Sequence, residues 1–358
     1  MKLLELTRSY YPSVGGFEKS IMDKTKIYEA LGIDYKIVTT DFSSKLSGEK
    51  RLANVVYLRQ YTPYNITPFL FKHLSEEYDV VNINLLGRFY SDVAIQYFSG
   101  TKTKIILTPY SFYHTDRYKL IKRFLQRSVF PYLLKRIDAL ITFTQYEKNE
   151  WSTCYSIPEE KIVVIPLYLE TTEYQKSKIE GKKNRYILYV GRNEINKKFD
   201  ILIESFLQLN NADCQLYLTL NLSDIRSDLQ QRVKDNSQIH FLGYVSEEQK
   251  RNLFQHADAV VFPTSWEAFG YVAFEASAYA KPLLCSNLPV FRELLDSHGV
   301  MFFQNTVDSL TATLRKFLSL PEEKRQAMGL VNYRHLSNFT FEKAKMQYQA
   351  LFERLQRK

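Results

Sequence analysis

AVVFPTSWEAFGYVAFEASAYAKPLLC, residues 259–285, holds two short apolar runs of strand length, Ala259–Phe262 and Pro282–Cys285, with a helix-length segment between them. Strand, helix, strand in that order is one βα unit of a parallel sheet. Two carboxylates lie inside the unit. Glu267 stands at or just before the start of the helix and Glu275 one to two turns within it, with seven residues and the triple Phe269-Gly270-Tyr271 between them. Charged side chains are seldom fully buried unless paired, yet the run around Glu275, VAFEASAYA, is otherwise apolar. Eight residues of continuous helix rise roughly 12 Å, too far for the carboxylates to share a proton or a metal ion. They suit two parts of one elongated polar ligand. A carboxylate accepts paired hydrogen bonds from vicinal hydroxyls, which ribose and hexose both offer, and Gly270 would let backbone N–H groups approach such a ligand. Two glutamates on a helix surface are the plainer reading of this spacing, and the apolar run weakens it.

Outward from this unit, β-branched and aromatic runs alternate with helix-length segments almost throughout. In the first half the strand candidates are Leu3–Thr7, Tyr35–Thr40, Val55–Arg59, Val80–Asn84, Lys104–Thr108, Ala139–Thr144 and Ile162–Ile165. A polar stretch with little to bury follows, ETTEYQKSKIEGKKN (Glu170–Asn184). Strands resume at Tyr186–Val190, Cys214–Leu220, His240–Leu242, Ala259–Phe262, Pro282–Cys285 and Val300–Phe303. At 358 residues the chain is too long for one ordinary core. The expected architecture is α/β: two doubly wound, Rossmann-like domains facing each other across a cleft. The first spans 1–168 and a linker spans 169–184. The second spans 185–340, and a helical segment over 341–358 is free to return to the first domain. In such sheets ligands bind beyond the C-terminal ends of the strands.

Composition narrows the function. Hydrophobic residues make up 45% of the chain, as in a globular protein, and no apolar run reaches the length of a membrane span. The start, MKLLELTRSYYP, is too short in apolar residues for a secretory leader and reads as a first buried strand. Cys154, Cys214 and Cys285 show no metal or redox spacing and fit a reducing, cytoplasmic compartment. The net charge of +9 favours an anionic partner.

Three further stretches carry chemistry. In TRSYYPSVGGFEKSIMDKTKIYEALG, Gly15-Gly16 opens an amphipathic helix, where backbone N–H groups and the helix dipole can receive an anion; a flexible loop before a helix is the alternative. In ILYVGRNEINKKFDILIESF, Gly191-Arg192 follows a strand and Lys197-Lys198 precedes a helix. Cations at a helix N-terminus are unfavourable against its dipole, a cost that a bound diphosphate would offset, with Arg gripping phosphate bidentately and Lys adding a point charge. A solvated basic turn is the alternative there. The third stretch, RYKLIKRFLQRSVFPYLLKR (Arg117–Arg136), has seven Lys or Arg and no acidic residue. Leu120, Ile121, Phe124, Leu125 and Val129 can form one apolar helical face until Pro131 kinks or ends it. A basic amphipathic helix fits an anionic lipid surface, and an ordinary helix packed on its sheet with a solvated basic face fits the sequence as well.

PTSWEAFGYVAFEASAYAKPLLCSNLPVFRE resembles the signature of the GT-B-fold retaining glycosyltransferases of family 4 (glycosyl transferases group 1), in which a glutamate pair at this spacing holds a nucleotide-sugar donor. VGRNEINKKFDILIESF is similar to the same family's Gly-Arg…Lys turn, and PSVGGFEKSI to its N-terminal double-glycine loop. The likeness runs in order from about Ser9 to the C-terminus, and the second domain carries most of it. It implies that Arg192 and Lys197 bind the donor diphosphate, Glu275 the ribose hydroxyls and Glu267 hydroxyls of the transferred sugar. Phe269, Gly270 and Tyr271 would give backbone contacts at the sugar and phosphates. Gly15 and Gly16 would approach the diphosphate from the other domain. The family's first-domain histidine matches His114 in LTPYSFYHTD, with two extra residues before it. Two other departures stand out. Lys198 replaces a glycine, so that either Lys197 or Lys198 could meet phosphate, and Ala280 replaces the glycine of the helix-to-strand turn.

The resemblance implies a retaining hexosyltransferase, expected to be metal-independent. It would use a UDP- or GDP-linked sugar and a saccharide or lipid-linked saccharide acceptor, as in bacterial surface polysaccharide or glycoconjugate assembly. No cofactor and no nucleic acid are expected, since Asp-x-Asp, His/Cys ligand spacing and nucleic-acid modules are all absent. The chain would be cytoplasmic, with peripheral contact at the inner face of the membrane through Arg117–Arg136. The rival readings are a nucleotide-dependent oxidoreductase, against which GxGxxG is missing from both first βα turns, and a non-enzymatic polyanion binder.

Overall fold

The structure is a computed structural model that describes residues 1–13, 15–40, 53–59, 61, 66–110, 125–170, 185–194 and 196–357. The chain divides into two compact units, Met1–Tyr168 with Phe341–Lys358, and Leu169–Thr340.

In the first unit the strands are β1 (Lys2–Thr7), β2 (Asp34–Thr40), β3 (Val55–Leu58), β4 (Val80–Asn84), β5 (Lys104–Thr108), β6 (Ala139–Thr142) and β7 (Ile162–Val164). They form one parallel sheet in the order β3-β2-β1-β4-β5-β6-β7, in which the order reverses at β1, as in doubly wound folds. Its helices are α1 (Gly16–Ala30), α2 (Leu70–Leu74), α3 (Phe89–Phe98), α4 (Phe130–Leu134) and α5 (Gln145–Tyr155). Successive strand residues point to opposite faces, and the two cores follow that alternation. Leu4, Leu6, Val81, Ile83, Ile105 and Leu107 join the helices α2 to α5 on one side, while Leu3, Val80 and Ile106 join Ile27 and Tyr28 of α1 on the other.

The centre of this sheet also holds charge. Lys24 of α1 donates to Glu5 Oε1 (2.5 Å) and Asn84 Oδ1 (2.7 Å). The Tyr28 hydroxyl and the Asn82 amide donate to Glu5 Oε2 (2.8 and 3.0 Å), and the Asn84 amide donates to Oε1 (2.7 Å). Glu5 is 0% and Lys24 2% exposed. A buried ion pair persists when its remaining polar atoms are also satisfied, which these asparagines and the tyrosine achieve.

Two expectations need correction. The run Ala139–Thr144 ends as a strand at Thr142, because the Thr144 hydroxyl accepts the Glu147 N–H (3.1 Å) and caps α5. Pro131 does not end a helix. Leu125–Val129 forms a π-helical turn, and Pro131 sits in the first turn of α4, where its missing N–H costs no hydrogen bond. His114 and the first part of the basic stretch, 117–124, lie outside the described residues, as does most of the expected linker, 171–184.

In the second unit the strands are β8 (Tyr186–Tyr189), β9 (Gln215–Leu218), β10 (Ile239–Phe241), β11 (Ala259–Phe262), β12 (Leu283–Ser286) and β13 (Val300–Phe303). They also form a parallel sheet, in the order β10-β9-β8-β11-β12-β13. Its helices are α6 (Phe199–Leu209), α7 (Ser227–Val233), α8 (Glu247–His256), α9 (Tyr271–Ala278), α10 (Pro289–Leu294), α11 (Val307–Ser319) and α12 (Glu322–His335). The last helix, α13 (Phe341–Gln356), belongs to the first unit, where Tyr348, Leu351 and Phe352 pack with Ile27 and Tyr28 of α1 and Ile106 of β5.

Candidate functional site

The C-terminal ends of β8 and β11 lie side by side in the second sheet, so the turns that leave them meet. Lys197 bridges Thr264 backbone to backbone, the Lys198 N–H donates to the Pro263 carbonyl (2.9 Å), and the Ser265 N–H donates to the Asn196 carbonyl (2.8 Å). The Asn196 amide reaches the Trp266 carbonyl (3.0 Å). From behind, the Ser286 hydroxyl accepts the Thr264 N–H (2.8 Å), and the Asn305 amide donates to the Thr264 carbonyl (2.9 Å). The backbone of the loop that presents Glu267 is thus held from both sides, by main-chain and side-chain groups. This clamp of Asn196, Thr264, Ser286 and Asn305 was not visible in the sequence, since polar residues in loops carry no pairing signal.

The clamp brings two expected site residues into contact. The Lys197 ammonium pairs with Glu267 Oε1 and lies 4.6 Å from the centre of the Phe262 ring. Both side chains keep an opening to solvent, 12% and 13% exposed. Burial pushes the Glu267 carboxyl above the usual carboxylate range, while the charge and hydrogen bond of Lys197 pull against it. Arg192 stands exposed on the same turn as Lys197. Lys198 is the residue that caps α6, and its backbone N–H is already committed to Pro263.

Glu275 has a different partner. It is 5% exposed on α9, and Lys250 of α8 reaches its Oε1 at 3.3 Å. Lys250 lies 25 residues earlier, on a helix whose sequence, SEEQKRNLFQH, reads as a solvated face, so nothing in the sequence connected the two. The expected 12 Å separation of the glutamates does not carry over. The helix starts only at Tyr271, and Glu267 lies in the loop before it, so helical rise applies to the last few residues alone.

Gly270 is required by the backbone. It caps α9 in the left-handed region (φ 90°), and a Cβ there would stand 2.6 Å from Phe291 Cε1. Phe269 turns inward, stacked on Phe274 at 4.3 Å, and Tyr271 is buried, so both can offer a ligand their backbone. Gly191 covers the buried Tyr189 hydroxyl, which would lie 2.5 Å from an added Cβ. Ala280 adopts φ 52°, a conformation that glycine takes without cost. Among the described residues no three His, Cys, Asp or Glu side chains gather as a metal site.

In the first unit Gly15 caps α1 with extended backbone (φ 178°), which any residue adopts, so its conformation alone does not demand glycine. Gly16 begins the helix, and Glu18 in the first turn accepts from the Ser9 hydroxyl (2.5 Å).

Comparison with known proteins gives this arrangement a family. The pattern of Glycosyltransferase Family 4 matches residues 14–173, and that of Glycosyl transferases group 1 matches residues 170–334. The O-antigen chain mannosyltransferase RfbU of Salmonella typhimurium is 27% identical over 218 residues, 59% of each chain. The GDP-mannose:cellobiosyl-diphosphopolyprenol alpha-mannosyltransferase of Komagataeibacter xylinus is 22% identical over 319 residues, 84% of this chain and 80% of its own. An uncharacterized glycosyltransferase of Methanocaldococcus jannaschii is 26% identical over 197 residues, so the chain spans half to three fifths of the length of some of the curated relatives it matches. Among solved structures, Alr3699/HepE of Anabaena in complex with UDP superposes with a TM-score of 0.81 at 17% identity, over 99% of this chain and all of the other. Sucrose-phosphate synthase of Thermosynechococcus elongatus gives 0.78 at 16%, over 99% and 98%. At these identities the structures speak for the fold, which is GT-B. The chain belongs to glycosyltransferase family 4, the glycosyl transferases group 1.

Proposed function

We propose that the chain is a retaining hexosyltransferase that uses a UDP- or GDP-linked sugar and needs no metal ion. The observation that carries this reading is the meeting of the Arg192–Lys197 turn with the Glu267 loop at the C-terminal ends of β8 and β11, beside a helix that holds Glu275 nearly buried. Arg192 and Lys197 take up the charge that develops on the leaving diphosphate, preorganised cations being worth most where water is excluded. Glu267 holds hydroxyls of the transferred sugar, Glu275 those of the ribose, and Phe269 to Tyr271 offer backbone N–H groups. At the start of α1, Gly15 and Gly16 offer backbone N–H groups suited to an anion. The acceptor hydroxyl attacks on the donor's own face while the leaving phosphate helps to take its proton, and His114 positions the sugar or the acceptor.

The relatives' names support a saccharide acceptor in surface-polysaccharide assembly, and one of them acts on a diphosphopolyprenol-linked saccharide. An acceptor of that kind sits at a membrane. Among the described residues no helix is long and apolar enough to cross one; the contact proposed is peripheral, from the cytoplasmic side. We propose it through Arg117–Arg136, of which residues 125–136 are described, and the first unit exposes aromatic rings as well. Phe69 (65% exposed), Phe71 and Tyr97 stand outward on neighbouring elements, with the Phe71 and Tyr97 rings 6.4 Å apart, and Arg136 stacks on exposed Tyr132 at 3.4 Å. Aromatic rings with adjacent cations suit an anionic interface.

The test is release of free nucleotide from a panel including GDP-mannose and UDP-glucose, with and without EDTA, followed by NMR of the product anomer. Acceptor-dependent release that survives EDTA, with retained configuration, is expected. Inversion, or activity lost to EDTA and restored by a divalent ion, overturns the mechanism. Sedimentation with anionic and neutral vesicles tests the membrane surface; binding that ignores lipid charge would exclude it.

A further inference from the structure

We propose that Lys250 is a positioning residue of the donor site, fixing the carboxylate of Glu275 in the plane that receives the two ribose hydroxyls. The proposal rests on the donor reading above and adds a residue to it. A glutamate side chain has three rotatable bonds, and two hydrogen bonds to a vicinal diol need its carboxylate in one orientation. On α9 Phe274, Ala276 and Ala278 beside Glu275 are buried and apolar. A charged contact to the carboxylate comes from α8, where Lys250 Nζ lies 3.3 Å from Glu275 Oε1.

The lysine is itself braced. Its ammonium also pairs with Glu247 Oε2 (2.9 Å) one turn earlier on α8. The two helices are locked further along, where Phe254 stacks on Tyr279 at 5.6 Å and Lys281 Nζ donates to the Gln255 carbonyl (2.7 Å). Burial pulls the Lys250 ammonium down, but Glu275 and Glu247 more than offset it, so its pKa stands above the ordinary lysine value and the cation is retained. A site of this build separates the two jobs. Glu275 touches the ribose, and Lys250 acts only through Glu275.

The experiment is calorimetry with free UDP and GDP, using whichever nucleotide the unaltered protein binds, on Lys250→Met, Lys250→Arg, Glu247→Gln, Glu275→Gln and the pair Lys250→Met/Glu275→Gln. Lys250→Met should bind about tenfold more weakly, the low end of what losing a supporting partner costs in metal sites. In turnover it should raise the donor KM more than it lowers kcat. Lys250→Arg should recover most of the affinity, Glu247→Gln, which loosens the brace on Lys250, should weaken binding by less than Lys250→Met does, and the double variant should bind no more weakly than Glu275→Gln alone. If Lys250→Met misfolds by its melting curve, Lys250→Gln replaces it. Wild-type affinity in Lys250→Met alongside a loss in Glu275→Gln overturns the proposal. So does a further loss in the double variant, which would mean that Lys250 contacts the nucleotide itself. Wild-type affinity in Glu275→Gln would instead overturn the donor reading.

Discussion

Both units contain a lysine–glutamate pair near the middle of a parallel sheet, and the two pairs are finished differently. Around Glu5 and Lys24 the protein supplies its own partners, from Tyr28, Asn82 and Asn84, and water is excluded. Lys197 and Glu267 stand on turns beyond the strand ends and keep an opening to solvent. A closed network spends its hydrogen-bonding capacity on the fold. A pair on the strand-end turns can exchange part of it for a ligand. Position along the strand separates the two: Glu5 lies within β1, whereas Lys197 and Glu267 follow the ends of β8 and β11.

The contrast can be broken by substitution. Lys24→Met leaves the Glu5 charge buried and should cost about 3–5 kcal/mol of stability, read as a lower midpoint in urea; a loss under about 1 kcal/mol would place water or another cation in that core. Arg192→Ala, at an exposed guanidinium, should leave the urea midpoint unchanged and remove about 2–4 kcal/mol of transition-state stabilisation, seen as a fall of roughly 30- to 900-fold in kcat/KM. Near-normal turnover would take Arg192 out of the site.

The next effect sharpens the division within the second unit. Glu275→Gln should weaken binding of the free nucleoside diphosphate by about 1.4 kcal/mol, or tenfold, whereas Glu267→Gln should spare that binding and slow transfer. Equal affinity losses in calorimetry would mean that the ends of the donor are assigned wrongly. The smallest effect tests the backbone. Ala280→Gly relieves a left-handed alanine at the cost of a more flexible unfolded chain, so a net gain of up to about 1 kcal/mol is expected in thermal unfolding, with activity unchanged.

The fold was legible because strands of a parallel sheet covered on both faces read as short runs rich in β-branched and other apolar residues. Val80–Asn84, Lys104–Thr108, Ala259–Phe262 and Val300–Phe303 occupy the very residues marked by such runs. Errors fell where side-chain capping competes with apolar pattern, as at Thr144, and where proline has two meanings, as at Pro131, which opens a helix. The motif residues were legible singly, and their partners were not. Spacing along the chain showed Glu267 and Glu275, but Lys197 meets Glu267 across 70 residues and Lys250 meets Glu275 across 25. Contacts of that range are set by strand order and helix docking, which no local pattern encodes.

The return of α13 to the first unit also sets a timetable. Ile27, Tyr28, Val80 and Ile106 line a core whose last helix is translated after the whole of Leu169–Thr340. At about 5–20 residues per second, that face of the nascent first unit waits roughly ten to thirty seconds for its cover. During that interval the ribosome carries a half-roofed sheet, and chaperone binding there should fall away once Phe341–Gln356 has emerged.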